Sequence, residues 1–415
     1  MGLQKMFSTH KKESHTSSRR PFWVGAGVGM AFTLALVVGL SPILAPLAVS
    51  SIFWGGQVSP ETKMREIYYI LDQRSIFPFD RQVLMNHAFR GMLQGVGDTY
   101  TYYFDRDALA VFRERTSGTY AGVGMLVGLE NQQVTVVRVF ADSPAAEAGL
   151  QPGDKIVAVD GLSLDGKCLE KATTLVKGTP GTSVAVEVVR DGGAPFTLTM
   201  VRRQINVPSV SHKMLHTPDG LAMGYLRIES FEEGTFRQFS AAYLALRDAG
   251  MQGLVIDLRN NPGGLLASVI DIANLLLPEG AIMYSEDKQG HRIAYTSDAQ
   301  RIDIPLVLLV NGMSASASEV LTGAVQDHGI GTVVGQQTFG KGIVQSLYPL
   351  SDGSAIKVTV ARYYTPNGTS IHGIGITPDH IVEVDRETAL NAARLSLEED
   401  AKLQRGMEIL VEKLN

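Results

Sequence analysis

The chain has 415 residues, too many for one ordinary core at roughly 100–200 residues per domain, so two or three domains are expected. Lys plus Arg total 37 against 42 Asp plus Glu, a net charge of −5 with no acidic or basic block, which excludes nucleic acid as an expected partner. The single cysteine, Cys168, excludes an internal disulfide, so the fold rests on its hydrophobic cores.

Between Pro21 and Gln57 there is no charged side chain, while Lys5, Lys11, Lys12, Arg19 and Arg20 precede the run and Glu13 is the only nearby acid. The stretch Trp23 to Leu40 is already 18 residues long. The apolar part of a cleaved signal measures about 7–15 residues, so a transmembrane signal anchor is expected. Basic residues before the span keep residues 1–20 in the cytoplasm, and residues 21–56 form the span and its linker. Everything after about Gly56 then lies outside, as in a single-pass protein of a bacterial-type cell membrane. The alternatives are a cleaved secreted form or a twin-arginine signal at Ser18-Arg19-Arg20-Pro21-Phe22.

Residues 57–117 read as helical, with Ile67, Ile70 and Leu71 on one face and Leu84, Ala88, Phe89 and Leu93 on another; Gly95 to Tyr100 breaks the pattern. From 118 to 204 the chain changes to short alternating strands, such as Val134 to Val137 and Val184 to Val188, separated by glycine-bearing turns. From 205 to 385 buried-type strands at Leu254 to Ile256 and Leu306 to Val310 each lead into small-residue turns and then helical sequence, an α/β organisation. In 386–415, Leu403, Met407, Leu410 and Leu414 mark an amphipathic helix whose stripe fits either the core or a second subunit. A homodimer through the N- and C-terminal helical segments is consistent with that spacing.

Tyr120-Ala121-Gly122-Val123-Gly124 precedes an apolar strand, and Ser143-Pro144-Ala145-Ala146-Glu147-Ala148-Gly149-Leu150-Gln151-Pro152-Gly153-Asp154 follows about twenty residues later. An isolated Gly-x-Gly would merely shape a turn. The two motifs together, with Val159-Asp160-Gly161, resemble a PDZ domain. The resemblance implies that the backbone of Tyr120, Ala121, Gly122, Val123 and Gly124 binds a peptide's terminal carboxylate, the peptide adding as a strand beside it.

The strand ending at Val310 runs into Asn311-Gly312-Met313-Ser314-Ala315-Ser316-Ala317-Ser318-Glu319, which presents a serine where a helix begins. On this segment alone, Ser316 to Glu319 reads equally well as a capping box with no chemistry. Asp257-Leu258-Arg259-Asn260-Asn261-Pro262-Gly263-Gly264 offers backbone N–H groups that could face an oxyanion. Thr338-Phe339-Gly340-Lys341-Gly342-Ile343-Val344-Gln345 sets a lysine between two glycines for which the sequence suggests no structural role. Ser285-Glu286-Asp287-Lys288 fits a Ser-x-x-Lys pattern, but in a polar, turn-like stretch. No metal-ligand spacing is present, and no cofactor is expected.

With these motifs in order, residues 60 to 385 resemble the carboxy-terminal processing peptidases, the tail-specific protease family. The resemblance implies a multi-domain α/β chain. Its serine protease core would be ClpP/crotonase-like, with a β-rich PDZ domain inserted after an N-terminal helical segment and transmembrane helix. It implies Ser316 as nucleophile, Lys341 as general base 25 residues later, Gln345 as the group orienting the lysine, and the N–H groups of Gly263 and Ala317 as the oxyanion hole. Protein substrates would be taken by their C-terminal tails. Gly329-Ile330-Gly331 departs from the family, where a basic residue often follows the helix. Lysine acts as a base only when neutral, so its pKa must lie well below the usual value of about 10.4. His328 is expected to be structural.

Overall fold

A computed structural model describes residues 58–164, 168–299 and 301–415. The predicted membrane span lies outside them, and no helix among the described residues is long and apolar enough to cross a membrane. The described residues divide into two units, one ending at Leu84 and the other running Met85–Asn415. In the first, helix α1 (Pro60–Arg74) is started by Ser59, whose hydroxyl accepts the Thr62 N–H at 3.3 Å, with Pro60 at the first helical position, where its missing N–H costs nothing.

Helix α2 (Arg81–Gln94) leads to a short strand inside the segment expected to be helical, β1 (Tyr102–Phe104), then α3 (Arg106–Ser117). Tyr103 and Phe104 are buried, and β1 pairs with a strand some 250 residues later, a long-range partner no local pattern announces.

The β-rich module comprises β2 (Thr119–Gly122), β3 (Met125–Glu130), β4 (Gln133–Val139), the turn α4 (Pro144–Glu147), β5 (Lys155–Val159), β6 (Leu162–Ser163), α5 (Leu169–Val176), β7 (Ser183–Val189), β8 (Phe196–Val201) and β9 (Arg203–Asn206). Its sheet runs β3-β4-β5-β7-β8, which leaves β3 as an edge strand; β2 and β9 form a separate two-stranded ladder. In β7 the alternation of Val184, Val186 and Val188, all buried, with Ala185, Glu187 and Val189 aims one face at a core shared with Val134, Val136 and Val159.

The α/β part continues with β10 (Val210–His216), β11 (Ala222–Ile228), α6 (Thr235–Asp248), β12 (Gly253–Asp257), α7 (Leu266–Leu276), β13 (Gly280–Asp287), β14 (Arg292–Ser297), β15 (Leu306–Val310), α8 (Ala317–Asp327), β16 (Gly331–Gly335), β17 (Ile343–Pro349), β18 (Ala355–Tyr364), β19 (His380–Ile381), α9 (Arg386–Leu390) and α10 (Ala401–Leu414). One sheet has the order β10-β11-β12-β15-β16-β19, parallel from β11 onward. A second joins β1, β18, β13 and β14, with β17 also on β18.

The parallel strands are apolar on both faces because both are covered. Leu226, Ile256 and Leu308 face α6, α7 and α8, while Tyr225, Val255, Val307 and Leu309 face α10. The amphipathic stripe of α10 is thus buried on its own core, through Leu403, Met407 and Leu410. Gly406 permits this, since a Cβ there would lie 3.1 Å from Val307 and 3.3 Å from Leu309. The departure at 329–331 is accommodated: Gly329, at φ +64°, ends α8, and Gly331 leaves room for Val325 and Leu306.

Candidate active site

The loops after β12, β15 and β16 meet at one end of the parallel sheet. The loop after β15 delivers Ser316 as the N-cap of α8 at φ +56° and ψ −113°, a left-handed conformation that costs a non-glycine residue on the order of 1–3 kcal/mol. Contacts on both sides hold it there. Its N–H donates to Glu319 Oε2 at 2.8 Å, and its carbonyl accepts from the N–H groups of Glu319 and Val320 and from the Tyr363 hydroxyl at 2.9 Å.

Glu319 does more than cap the helix. It is fully buried, and its carboxylate also accepts the Lys341 N–H at 2.8 Å, the Gly340 N–H at 2.7 Å and the Thr338 hydroxyl at 2.6 Å. One side chain therefore ties the turn carrying Ser316 to the turn carrying Lys341. The glycines beside Lys341 have a structural role after all: a Cβ on Gly340 would lie 2.9 Å from the backbone nitrogens of Ile374 and Gly375, and one on Gly342 would lie 2.7 Å from that of His372.

Lys341 is half-buried, and its ammonium donates to Gln345 Oε1 at 3.1 Å. A register shift between Val344 and Gln345 in β17 re-aims the glutamine. The amide nitrogen of Gln345 donates in turn to the Tyr100 carbonyl at 2.6 Å, and Lys341 Nζ stands 4.8 Å above the Tyr100 ring. No hydrogen bond joins Lys341 Nζ to Ser316 Oγ in this conformation. Burial, then the neighbouring Lys357 charge, pushes the Lys341 amine below its usual value, against the opposing pull of Asp98 and Glu319.

The third loop brings Gly263 against the serine. A Cβ on Gly263, at φ +98°, would lie 2.8 Å from Ser316 Cβ, 2.7 Å from the Ala315 carbonyl and 2.9 Å from the Ala317 nitrogen. Backbone and side-chain bonds from Ala315 N–H and Ser318 Oγ to the Asn261 carbonyl, both 3.0 Å, zip the two loops together. The Gly263 N–H donates to Asn261 Oδ1 at 2.8 Å, while the Ala317 N–H sits at the first turn of α8, where helical N–H groups lack intrahelical partners.

Elsewhere, Tyr120, Ala121 and Gly122 lie in β2, paired with Ile205, Gln204 and Arg203, so only Val123 and Gly124 form the turn into edge strand β3. Gly124, at φ +86°, has no room for a side chain, since a Cβ would sit 2.2 Å from that of Ser143. His328 donates from Nε2 to the Ala281 carbonyl at 2.7 Å, a packing contact. Ser285 to Asp287 prove to be strand, paired with β14 and β18, where a turn was expected; the polar run reflects a hairpin end. Sequence reasoning gave Tyr100, Tyr363 and Lys357 no role in the site. It weighed Glu319 only as a helix cap, although a Ser-x-x-Glu beginning at Ser316 was the visible signal.

Residues 222–382 match the model of peptidase family S41, and residues 135–190 match a PDZ domain model. The chain is 37% identical to the carboxyl-terminal-processing protease of Synechocystis sp. over 327 residues, covering 78% of this chain and 76% of that one. It is 38% identical to the carboxy-terminal-processing protease of Bartonella bacilliformis over 313 residues, covering 73% and 70%. A solved photosystem II D1 C-terminal processing protease is 35% identical, with 78% and 87% covered and a TM-score of 0.47. With that extent of identity to its relatives, the chain belongs to peptidase family S41 and is a serine-type, carboxyl-terminal-processing protease carrying a PDZ domain.

Proposed function

We propose that this protease cleaves extracytoplasmic proteins by a Ser316–Lys341 dyad after its PDZ domain has taken hold of their C-terminal tails. The observation that carries the dyad is the Glu319 carboxylate, which accepts the backbone N–H groups of both Ser316 and Lys341 and so fixes the two turns relative to each other. Neutral Lys341 Nζ takes the Ser316 Oγ proton as Oγ bonds to the scissile carbonyl carbon. The resulting ammonium returns that proton to the leaving amine as the C–N bond breaks, and water then hydrolyses the acyl-serine by the same route. Gln345 orients the amine. The N–H groups of Ala317 and Gly263 stabilise the oxyanion, the latter on surrendering or sharing its bond to Asn261 Oδ1.

The core is read as ClpP/crotonase-like, with its PDZ module over 118–204 and its protease core over 205–385. Residues 21–56 anchor it, with the catalytic unit outside a bacterial-type cell membrane. Because the stripe of α10 is spent on the core, a homodimer would rely on the N-terminal helical segment. In the PDZ domain a tail would add to the free edge of β3, with its carboxylate at the Val123–Gly124 turn.

A serine-directed fluorophosphonate tests the chemistry: wild type should be labelled and Ser316→Ala should not. Labelling that survives Ser316→Ala removes Ser316 as nucleophile, and no labelling of wild type favours a catalytically silent, peptide-binding scaffold. Amidating the C-terminus of a model substrate should slow its cleavage. Protease added to intact spheroplasts should digest the catalytic unit and spare residues 1 to about 20.

A further inference from the structure

Tyr100 lies between α2 and β1 in a turn that has no place in the dyad chemistry, yet it touches both groups that define the base. Its ring is 4.8 Å from Lys341 Nζ, and its carbonyl accepts the Gln345 amide at 2.6 Å. The turn is itself braced. The Asp98 carboxylate accepts the Tyr100 N–H at 3.0 Å and the Thr101 hydroxyl at 2.6 Å, and β1 immediately afterward pairs with β18, the neighbour of the strand bearing Gln345. The Tyr100 ring meets His372 edge-on, with centroids 6.5 Å apart, on the side of the loop against which Gly342 packs.

We propose that Tyr100 is a positioning residue for the general base. Its ring face parks protonated Lys341 beside Gln345 and away from Ser316, and its carbonyl sets the orientation of Gln345. The inference rests on the Ser316–Lys341 reading. A ring quadrupole attracts an ammonium and not a neutral amine, so the contact favours the charged form and disappears on deprotonation. The charged groups facing the lysine are Asp98 from the same turn and Glu319 from α8, which favour its charge, and Lys357 from β18, which opposes it. Loss of the proton therefore releases the amine from the ring at the moment when it becomes able to accept the Ser316 proton.

The test is the pH profile of kcat/KM on a short peptide ester, measured for the whole protein. Activity rises with pH as Lys341 loses its proton. Tyr100→Leu removes the ring face and destabilises the charged form, so the midpoint should move to lower pH by about half a unit to one unit. Tyr100→Phe keeps the face and should keep the midpoint. A merely structural role would lower the plateau of Tyr100→Leu and leave its midpoint in place, which overturns the proposal, as does an equal shift in the Phe and Leu variants. If Tyr100→Leu does not fold, Tyr100→Trp serves: its stronger quadrupole should move the midpoint to higher pH, and no movement overturns the proposal. Lys341→Ala separates this inference from its premise. Retained activity there sinks the dyad reading, whereas an inactive Lys341→Ala beside an unmoved Tyr100→Leu midpoint sinks only the role of Tyr100.

Discussion

Two fully buried carboxylates, Glu319 and Asp257, sit at the same end of the parallel sheet and are satisfied in opposite ways. Glu319 accepts three backbone N–H groups and a threonine hydroxyl, all neutral. Asp257 accepts the Tyr225 hydroxyl and two guanidiniums, Arg227 at 3.0 Å and Arg259 at 2.7 Å; Arg259 reaches on to Asp400, at the start of α10, through two bonds of 2.7 and 2.8 Å. Burial pushes the Asp257 carboxyl up, but Arg259 and Arg227 outweigh it and hold it below the ordinary carboxylate range. The Asp257 cluster is permanently charged because guanidinium does not titrate. Around Glu319 the acid grips the backbone of Lys341 rather than its ammonium, so the amine stays free to lose its proton. The difference separates an ionic lock from a site that can exchange protons.

The strongest way to break this contrast is to convert one cluster into the other. Lys341→Arg replaces the titratable amine with a guanidinium that stays charged and should reduce kcat/KM by about 10²–10⁴, the usual worth of a general base, as should Lys341→Ala. Steady-state kinetics with circular dichroism as a folding control checks it. A loss of only a few-fold would make the lysine structural and reopen a histidine mechanism at His328 or His372.

Next in size is the lock itself. Asp400→Leu takes from Arg259, which is 2% exposed, one of its two carboxylate partners, and leaving those buried donors unsatisfied costs about 3 kcal/mol. Urea unfolding should show the loss as a lower midpoint. In Arg259→Met/Asp400→Leu neither charge is left unpaired by the other's removal, so the loss should be smaller than the sum of the two single variants. Additivity would mean that the pair does not couple.

Glu319→Gln keeps the shape but turns an amide N–H₂ toward groups that are themselves donors. The unsatisfied contacts should cost about 1–3 kcal/mol in stability. Loss of the negative charge also removes a pull toward protonated Lys341, so the activity midpoint should fall in pH. An unchanged profile and stability would mean that Glu319 is no more than a helix cap.

What the sequence disclosed follows the range over which each feature is encoded. The α/β and β-rich regions were legible from Leu254 to Ile256, Leu306 to Val310 and Val184 to Val188, because periodicity is local. Ser316, Lys341, Gln345 and Gly263 were found as motifs, and the structure brings their turns together. Strand β1 was read as helix because its partner lies in β18, and Tyr100 was given no role because its contacts with Lys341 and Gln345 span about as much chain. The glycines around Lys341 showed no structural purpose until the loop of Ile371 to Ile376 was seen packed against them.

The smallest effect gives the sharpest comparison, because the two clusters share one device: each holds a lysine that a neighbouring cation helps to neutralise. Lys402 is pushed down to about 8, first by burial and then by Arg259, and donates to Gln336 Oε1 at 2.6 Å. At the catalytic end Lys357 plays the part of Arg259, adding to burial in lowering Lys341, while its own ammonium rests 5.6 Å from the Phe104 ring and 5.5 Å from the Phe112 ring. Lys357→Met should keep that packing and remove only the charge. Protonated Lys341 then gains stability, its pKa rises, and the kcat/KM profile should move slightly to higher pH with an unchanged plateau. That direction is opposite to the one expected for Tyr100→Leu, so the two variants bracket the base from either side. A shift to lower pH, or a fallen plateau with the midpoint in place, would show that Lys357 acts by packing, and burial alone would then account for the depressed lysine.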